Sequence, residues 1–231
     1  MRGLLQFAFA LGTAGALALA PPALAQSSCS SDGQPRPRAL LERFISADCA
    51  QCWAQAGPAE SARTVALDWI VPGSAGEDAP LSAAATRDAL LRLQSLGLDA
   101  PAQALERRRP AASGRLRVAH GLPFNGYIGT SIEWRGSAPA PRRAWLALVE
   151  SVPAGTEGSP VARELVRNLL PLEWPRATGG QRTVRHFEAR PMYIAEGARP
   201  ERLHVVGWVE DEKGRLLALS QSVCVAPPKG E

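Results

Sequence analysis

The chain has 231 residues, 45% of them hydrophobic and 21% charged, with 20 Pro and 21 Gly. That is the composition of a folded globular protein and excludes a disordered or fibrous one. The formal charge is only +4 and is carried almost wholly by Arg. The local clusters, Arg107 with Arg108 and Arg109, and Arg142 with Arg143, lie in Pro-, Ala- and Ser-rich stretches without interleaved aromatics, which excludes a nucleic-acid footprint.

In chain order, the first segment has a basic residue at Arg2, then an apolar run from Leu4 to Ala20 interrupted by Gly12 and Gly15 and closed by Pro21 and Pro22. Ala23, Leu24 and Ala25 then form a small-x-small site before Gln26. This pattern predicts a secretory signal peptide over residues 1–25 and a mature protein that is periplasmic or secreted. Gln26, Ser27 and Ser28 before Cys29 lack the small apolar pattern of a lipidation box, so no membrane anchor is expected after cleavage.

Ala39 to Ile45 reads as a strand, followed by a turn at Ser46, Ala47 and Asp48 and a helix starting at Cys49. Gly57 and Pro58 break that helix, and Ala59 to Arg63 reads as a second short helical piece. Thr64 to Val71 is β-branched and almost continuously apolar, as a buried parallel strand is. Ser82 is the expected N-cap of a helix through Thr86, Leu90, Leu93 and Leu96, with Gly97 at its stop.

Beyond about residue 112 the texture becomes β-rich. Strands are expected near Arg115 to Ala119, Tyr127 to Trp134, Ala144 to Ser151, Arg182 to Ala189, Leu203 to Val209 and Leu216 to Val225. The last two form a hairpin around Glu210 to Gly214. One helix is expected at Pro160 to Leu170, with Val161, Leu165 and Leu169 on one face and Arg163 and Arg167 on the other. Residues 98–113 are the best boundary candidate, dividing the mature chain into 26–110 and a β-rich 111–231.

Export places the four cysteines in an oxidising compartment. Cys49 and Cys52 form a C-x-x-C and are expected to pair. Cys29 and Cys224 then either pair with each other or leave Cys29 as a free thiol in a tail. Closing about 195 residues stabilises a fold by roughly 5 kcal/mol, whereas closing four contributes at most about 2. The terminal pair can therefore act as a staple; the C-x-x-C cannot do much of that work.

A cysteine where a strand ends and a helix begins faces unpaired N–H groups that favour its thiolate. Cys49 is the expected nucleophile, and Cys52, one turn on, the thiol that resolves a mixed disulfide. Glu42, on the preceding strand, either sits beneath the pair and takes the resolving proton or is a surface charge. Asp48 opposes thiolate formation if its charge is close. Trp53 is a candidate wall of the cleft. The partners such chemistry implies are exported proteins bearing thiols or disulfides. His120, His186 and His204 are spaced unlike a metal pair, and neither metal nor other cofactor is expected. No G-x-S-x-G occurs, so a serine hydrolase is not indicated.

The stretch from Leu41 through Glu42, Phe44 and Ser46 to Cys49 and Cys52 resembles the opening of a family of secreted bacterial thioredoxin-like proteins of unassigned function, marked by Glu-Leu-Phe-Thr-Ser before a C-x-x-C. Val65 to Trp69, Trp145 to Ala147, Glu164 to Arg167 and Trp174 are similar to later segments of that family. The chain has Ile70 to Ser74 where members carry His-Val-Asp-Tyr-Trp, and it has no Thr-Pro. The resemblance implies an α/β-plus-β protein: an abbreviated thioredoxin-like βαβα unit followed by an antiparallel sheet or sandwich with one helix.

Overall fold

In the computed structural model, which describes residues 29–55, 63–137, 142–176 and 183–224, twelve strands and two α-helices are formed. They follow one another as β1 (Cys29–Ser30), β2 (Ala39–Ser46), α1 (Ala50–Ala54), β3 (Thr64–Val71), α2 (Arg87–Ser95), β4 (Ala104–Pro110) and β5 (Arg115–Phe124). The chain continues through β6 (Tyr127–Ser137), β7 (Arg142–Val152), β8 (Arg163–Trp174), β9 (Thr183–Tyr193), β10 (Leu203–Glu210), β11 (Leu216–Gln221) and β12 (Val223–Cys224).

The strands form two sheets. A seven-stranded sheet has the order β11-β10-β7-β8-β3-β2-β4, and a five-stranded sheet the order β12-β1-β5-β6-β9. In the larger sheet β2 and β3 run parallel, as do β3 and β8, while all its other pairs are antiparallel. β2 lies inside this sheet and is buried along its whole length, so its apolar residues serve both faces.

Alternation along β2 divides the core. Leu40 and Phe44 point to the face covered by α2, where they join Leu67, Trp69, Ala89, Leu93, Trp145 and Trp208. On the opposite face, Ile45 joins Cys49, Cys52, Trp53, Ile70 and Leu165 beneath α1. That same face, further along, packs Leu146, Leu148, Val205 and Val209 against Val118, Ile132 and Trp134 of the smaller sheet. Gly207 marks a close approach between the sheets: a Cβ there would stand 2.5 Å from Val118 and 3.1 Å from Ile132.

The expected thioredoxin-like βαβα unit is overturned. Strands from both halves of the chain share the seven-stranded sheet, α1 has only five residues, and β4 lies at the sheet's edge within the stretch expected to be a boundary. The helix expected at 160–170 is also corrected. From Arg163 onward that segment is β8, paired along its length with β7 and touching β3 at Leu165. Its helical periodicity is overridden by pairing, and its arginines do not face solvent: Arg163 reaches Asp68, and Arg167 contacts Glu150 at 2.6 Å.

Helix α2 starts later than expected. Thr86 is its N-cap, accepting from the Ala89 N–H, while Ser82–Ala84 forms a 3-10 turn. Gly97, at φ +65°, ends it as read. The signal segment 1–25 and most of the helical piece expected at 59–63 lie outside the described residues.

Candidate functional site at the Cys49–Cys52 bridge

β2 ends at Ser46, and the chain turns before α1 because the Cys49 N–H donates to the Ser46 carbonyl at 3.0 Å. Cys49 is the N-cap of α1, and no side chain caps that end. The Cys52 N–H donates to the Cys49 carbonyl at 3.1 Å, which sets the two sulfurs one turn apart. They are joined as a disulfide with Cα atoms 5.3 Å apart. Cys49 is 7% and Cys52 9% exposed, so the bridge sits just below the surface.

A five-residue helix is too short to hold itself. Its far end is held by Arg163 of β8, whose guanidinium donates to the carbonyls of Trp53 (2.6 Å), Cys52 (3.4 Å) and Gln55. A buried cation thus satisfies carbonyls that a short helix leaves open. Burial pushes the Arg163 pKa down, and the nearby Asp68 charge opposes that. Asp68 is fully buried and accepts from Arg43 Nε at 2.6 Å and from the Glu164 N–H at 2.8 Å. The guanidinium of Arg163 also lies over the Trp53 ring, 5.1 Å from its centroid. Trp53 Nε1 donates to the Glu157 carbonyl at 2.8 Å, which ties the 153–159 turn to the helix.

Next to Trp53 lies a cavity of about 260 Å³, which neither cysteine lines. Trp53, Ile70, Leu81 and Leu165 supply its apolar walls, and Glu157 and Arg167 are among the charges that line it. Trp53 is a wall of this cavity, which is not a cleft at the cysteines themselves.

Glu42 is not brought to the cysteines. It points to the α2 face, fully buried, where it accepts from Arg92 Nε at 2.7 Å and Arg109 Nη2 at 2.8 Å. Asp68 is a carboxylate on the cysteine side of the sheet. Asp48 is turned away into the 73–75 turn, accepting from the Ser74 N–H at 2.7 Å, the Ser74 hydroxyl at 2.9 Å and the Ala75 N–H at 3.2 Å. The Ser74 hydroxyl holds its carboxyl below the usual range. Gly73 leaves room for that contact, since a Cβ there would stand 2.2 Å from the Asp48 carboxylate and displace it.

Cys29 and Cys224 are paired with each other, so all four cysteines are in disulfides. His186 lies flat on Trp174, with centroids 4.8 Å apart, and His204 Nε2 stands 3.7 Å from Glu164. Burial, then the neighbouring His120, hold the His204 pKa down at about 4. The residues that sequence reasoning missed are Arg43, Asp68 and Arg163. Asp68 offered a signal, being a carboxylate in the middle of an apolar strand, since a buried charge needs a partner.

Among the described residues no helix is long and apolar enough to cross a membrane. Compared with protein-family models, curated proteins and solved structures, the chain has no match in any of the three.

Proposed function

We propose that this is an exported protein that exchanges thiols and disulfides through Cys49 and Cys52, acting on exported proteins bearing either group. The observation that carries the reading is the placement of a four-residue disulfide at the start of α1, packed against Trp53, Ile70 and Leu165, the residues that separate it from a cavity it does not itself line. Such a loop contributes at most about 2 kcal/mol to stability, so the bridge is a poor staple. The fold is stapled elsewhere, across 195 residues, by Cys29 and Cys224. Pairing of all four cysteines fits an oxidising compartment, and with it export.

In the exchange, an incoming thiolate attacks the Cys49 sulfur and Cys52 leaves as a thiolate. In the reverse direction Cys52 attacks the mixed disulfide at Cys49 and releases the partner's thiol. Arg163 is a positioning residue: it holds the carbonyl end of α1 and so fixes Cys52 relative to Cys49. The apolar wall of Trp53, Ile70 and Leu165 would receive the residues flanking a partner's cysteine.

Near-complete burial of both cysteines favours a second reading, a fixed bridge in an exported binding module without catalysis. The reduction potential separates the two. A value between about −270 and −120 mV supports exchange, and one below about −300 mV supports a fixed bridge. In parallel, Cys52→Ala is expected to accumulate mixed disulfides through Cys49; absence of such adducts overturns the exchange reading.

A further inference from the structure

The smaller sheet carries three potential ligands in one row. β1 pairs with β12 so that Cys29 stands opposite Cys224, and with β5 so that Cys29 also stands opposite His120. Three adjacent strands therefore present sulfur, sulfur and imidazole at one register position. Their ligand atoms all lie within 4.8 Å of one another. His120 Nε2 is 4.0 Å from Cys224 Sγ. The other ring nitrogen, Nδ1, is 2.9 Å from the Gly121 carbonyl. An N–H at Nδ1 donating to that carbonyl leaves the Nε2 lone pair facing the sulfurs, the orientation in which an outer-shell bond presents a histidine to a metal.

We propose that reduction of the Cys29–Cys224 bridge converts this row into a Zn²⁺ site with ligands Cys29, Cys224 and His120. This inference is independent of the exchange reading at Cys49 and Cys52. The bridge takes two electrons and two protons from a dithiol, which itself becomes a disulfide. Zn²⁺ then displaces the two thiol protons and is bound by two thiolates and one neutral imidazole.

The geometry suits the ion. Zinc lies about 2.3 Å from thiolate sulfur and about 2.0 Å from imidazole nitrogen, so its tetrahedral ligand atoms are about 3.5 to 4 Å apart. His120 Nε2 already stands near that spacing from Cys224 Sγ, and on reduction the two sulfurs move apart to reach it. Cys29 and His120 are buried, while Cys224 is exposed and gives the ion its entry. Three protein ligands leave a fourth position for water or another ligand. The ion would also restore the link between β1 and β12 that reduction breaks.

The test uses the full chain carrying Cys49→Ser and Cys52→Ser, so that the only thiols are those of Cys29 and Cys224. The expected result is one Co²⁺ bound per chain, with a thiolate-to-metal charge-transfer band, after reduction by a phosphine and none before it. Zn²⁺ should displace the Co²⁺ and raise the Tm of the reduced protein. His120→Ala, in which the bridge can still form and be reduced, should weaken binding at least ten-fold. Absence of the band in reduced protein, an unaltered affinity in His120→Ala, or reductive unfolding that Zn²⁺ does not reverse would each overturn the proposal.

Discussion

The buried charge cluster on the α2 face allows a quantitative prediction. Arg92 is fully buried and bonds both carboxylates, through Nε to Glu42 Oε1 at 2.7 Å and through Nη2 to Glu210 Oε1 at 2.7 Å. Its guanidinium carbon lies 4.8 Å from the Trp145 ring centroid and 5.1 Å from that of Trp208. Arg109 also bonds both carboxylates, at 2.8 and 2.6 Å, so two cations balance two anions. Arg92→Met leaves Glu42 and Glu210 facing Arg109 alone, with one uncompensated negative charge in the core. Breaking a buried pair in this way costs about 3 to 5 kcal/mol.

Glu210 supplies a second measure of that energy. Burial pushes its pKa up, but hydrogen bonds and charge from Arg92, and then Arg109, more than offset this and hold it at about 2 against an ordinary 4.5. That drop corresponds to about 3 kcal/mol, the same order as the pair-breaking cost. Because the folded pKa is the lower one, this stabilisation is present above pH 4.5 and is lost as pH falls towards 2. Urea denaturation at pH 7 checks the magnitude: with a slope of about 2 kcal/mol/M, the midpoint of Arg92→Met should fall by about 2 M. Its acid limb should also be flatter, since Glu210 has lost its strongest partner. Adding Glu42→Gln to Arg92→Met should restore part of the loss by removing the excess charge. A midpoint shift below about 0.5 M, together with an unchanged acid limb, would refute the reasoning.

Two further outcomes follow from packing and covalent links. Gly207→Ala places a methyl 2.5 Å from Val118 at the contact between the sheets and should destabilise by about 1 to 3 kcal/mol, seen as a lower Tm in calorimetry. Removing the terminal bridge with Cys29→Ala/Cys224→Ala should lower stability by about 4 to 5 kcal/mol, against at most about 2 for Cys49→Ala/Cys52→Ala. Equal losses in the two double variants, by denaturant titration, would contradict the division into a staple and a functional bridge.

Local patterns carried a good deal of this molecule. The apolar runs ending at Ile45 and Val71 are strands β2 and β3, the helix start falls at Cys49, and the stop falls at Gly97. The hairpin around Glu210 to Gly214 is β10 paired with β11. Each depends on residues close together in the chain, where alternation, a cap or a positive φ is sufficient.

What lay beyond reach depended on partners far away in sequence. Pro160 to Leu170 has helical spacing, yet β7 and β3 draw it into a sheet from Arg163 onward. Nothing near Arg92, Arg109 or Arg163 announces a buried guanidinium, because the carboxylates and carbonyls that accept from them come from other strands and from α1.

The face occupied by Glu42 shows the same division. Strand alternation placed it opposite its neighbours Arg43 and Ile45, but only the packing of α2 and α1 on the two faces decided which side held the cysteines. By itself the sequence determined which cysteines could pair and where one helix begins. Tertiary structure alone set Cys29, Cys224 and His120 in a row, because strand register joins residues that chain distance separates.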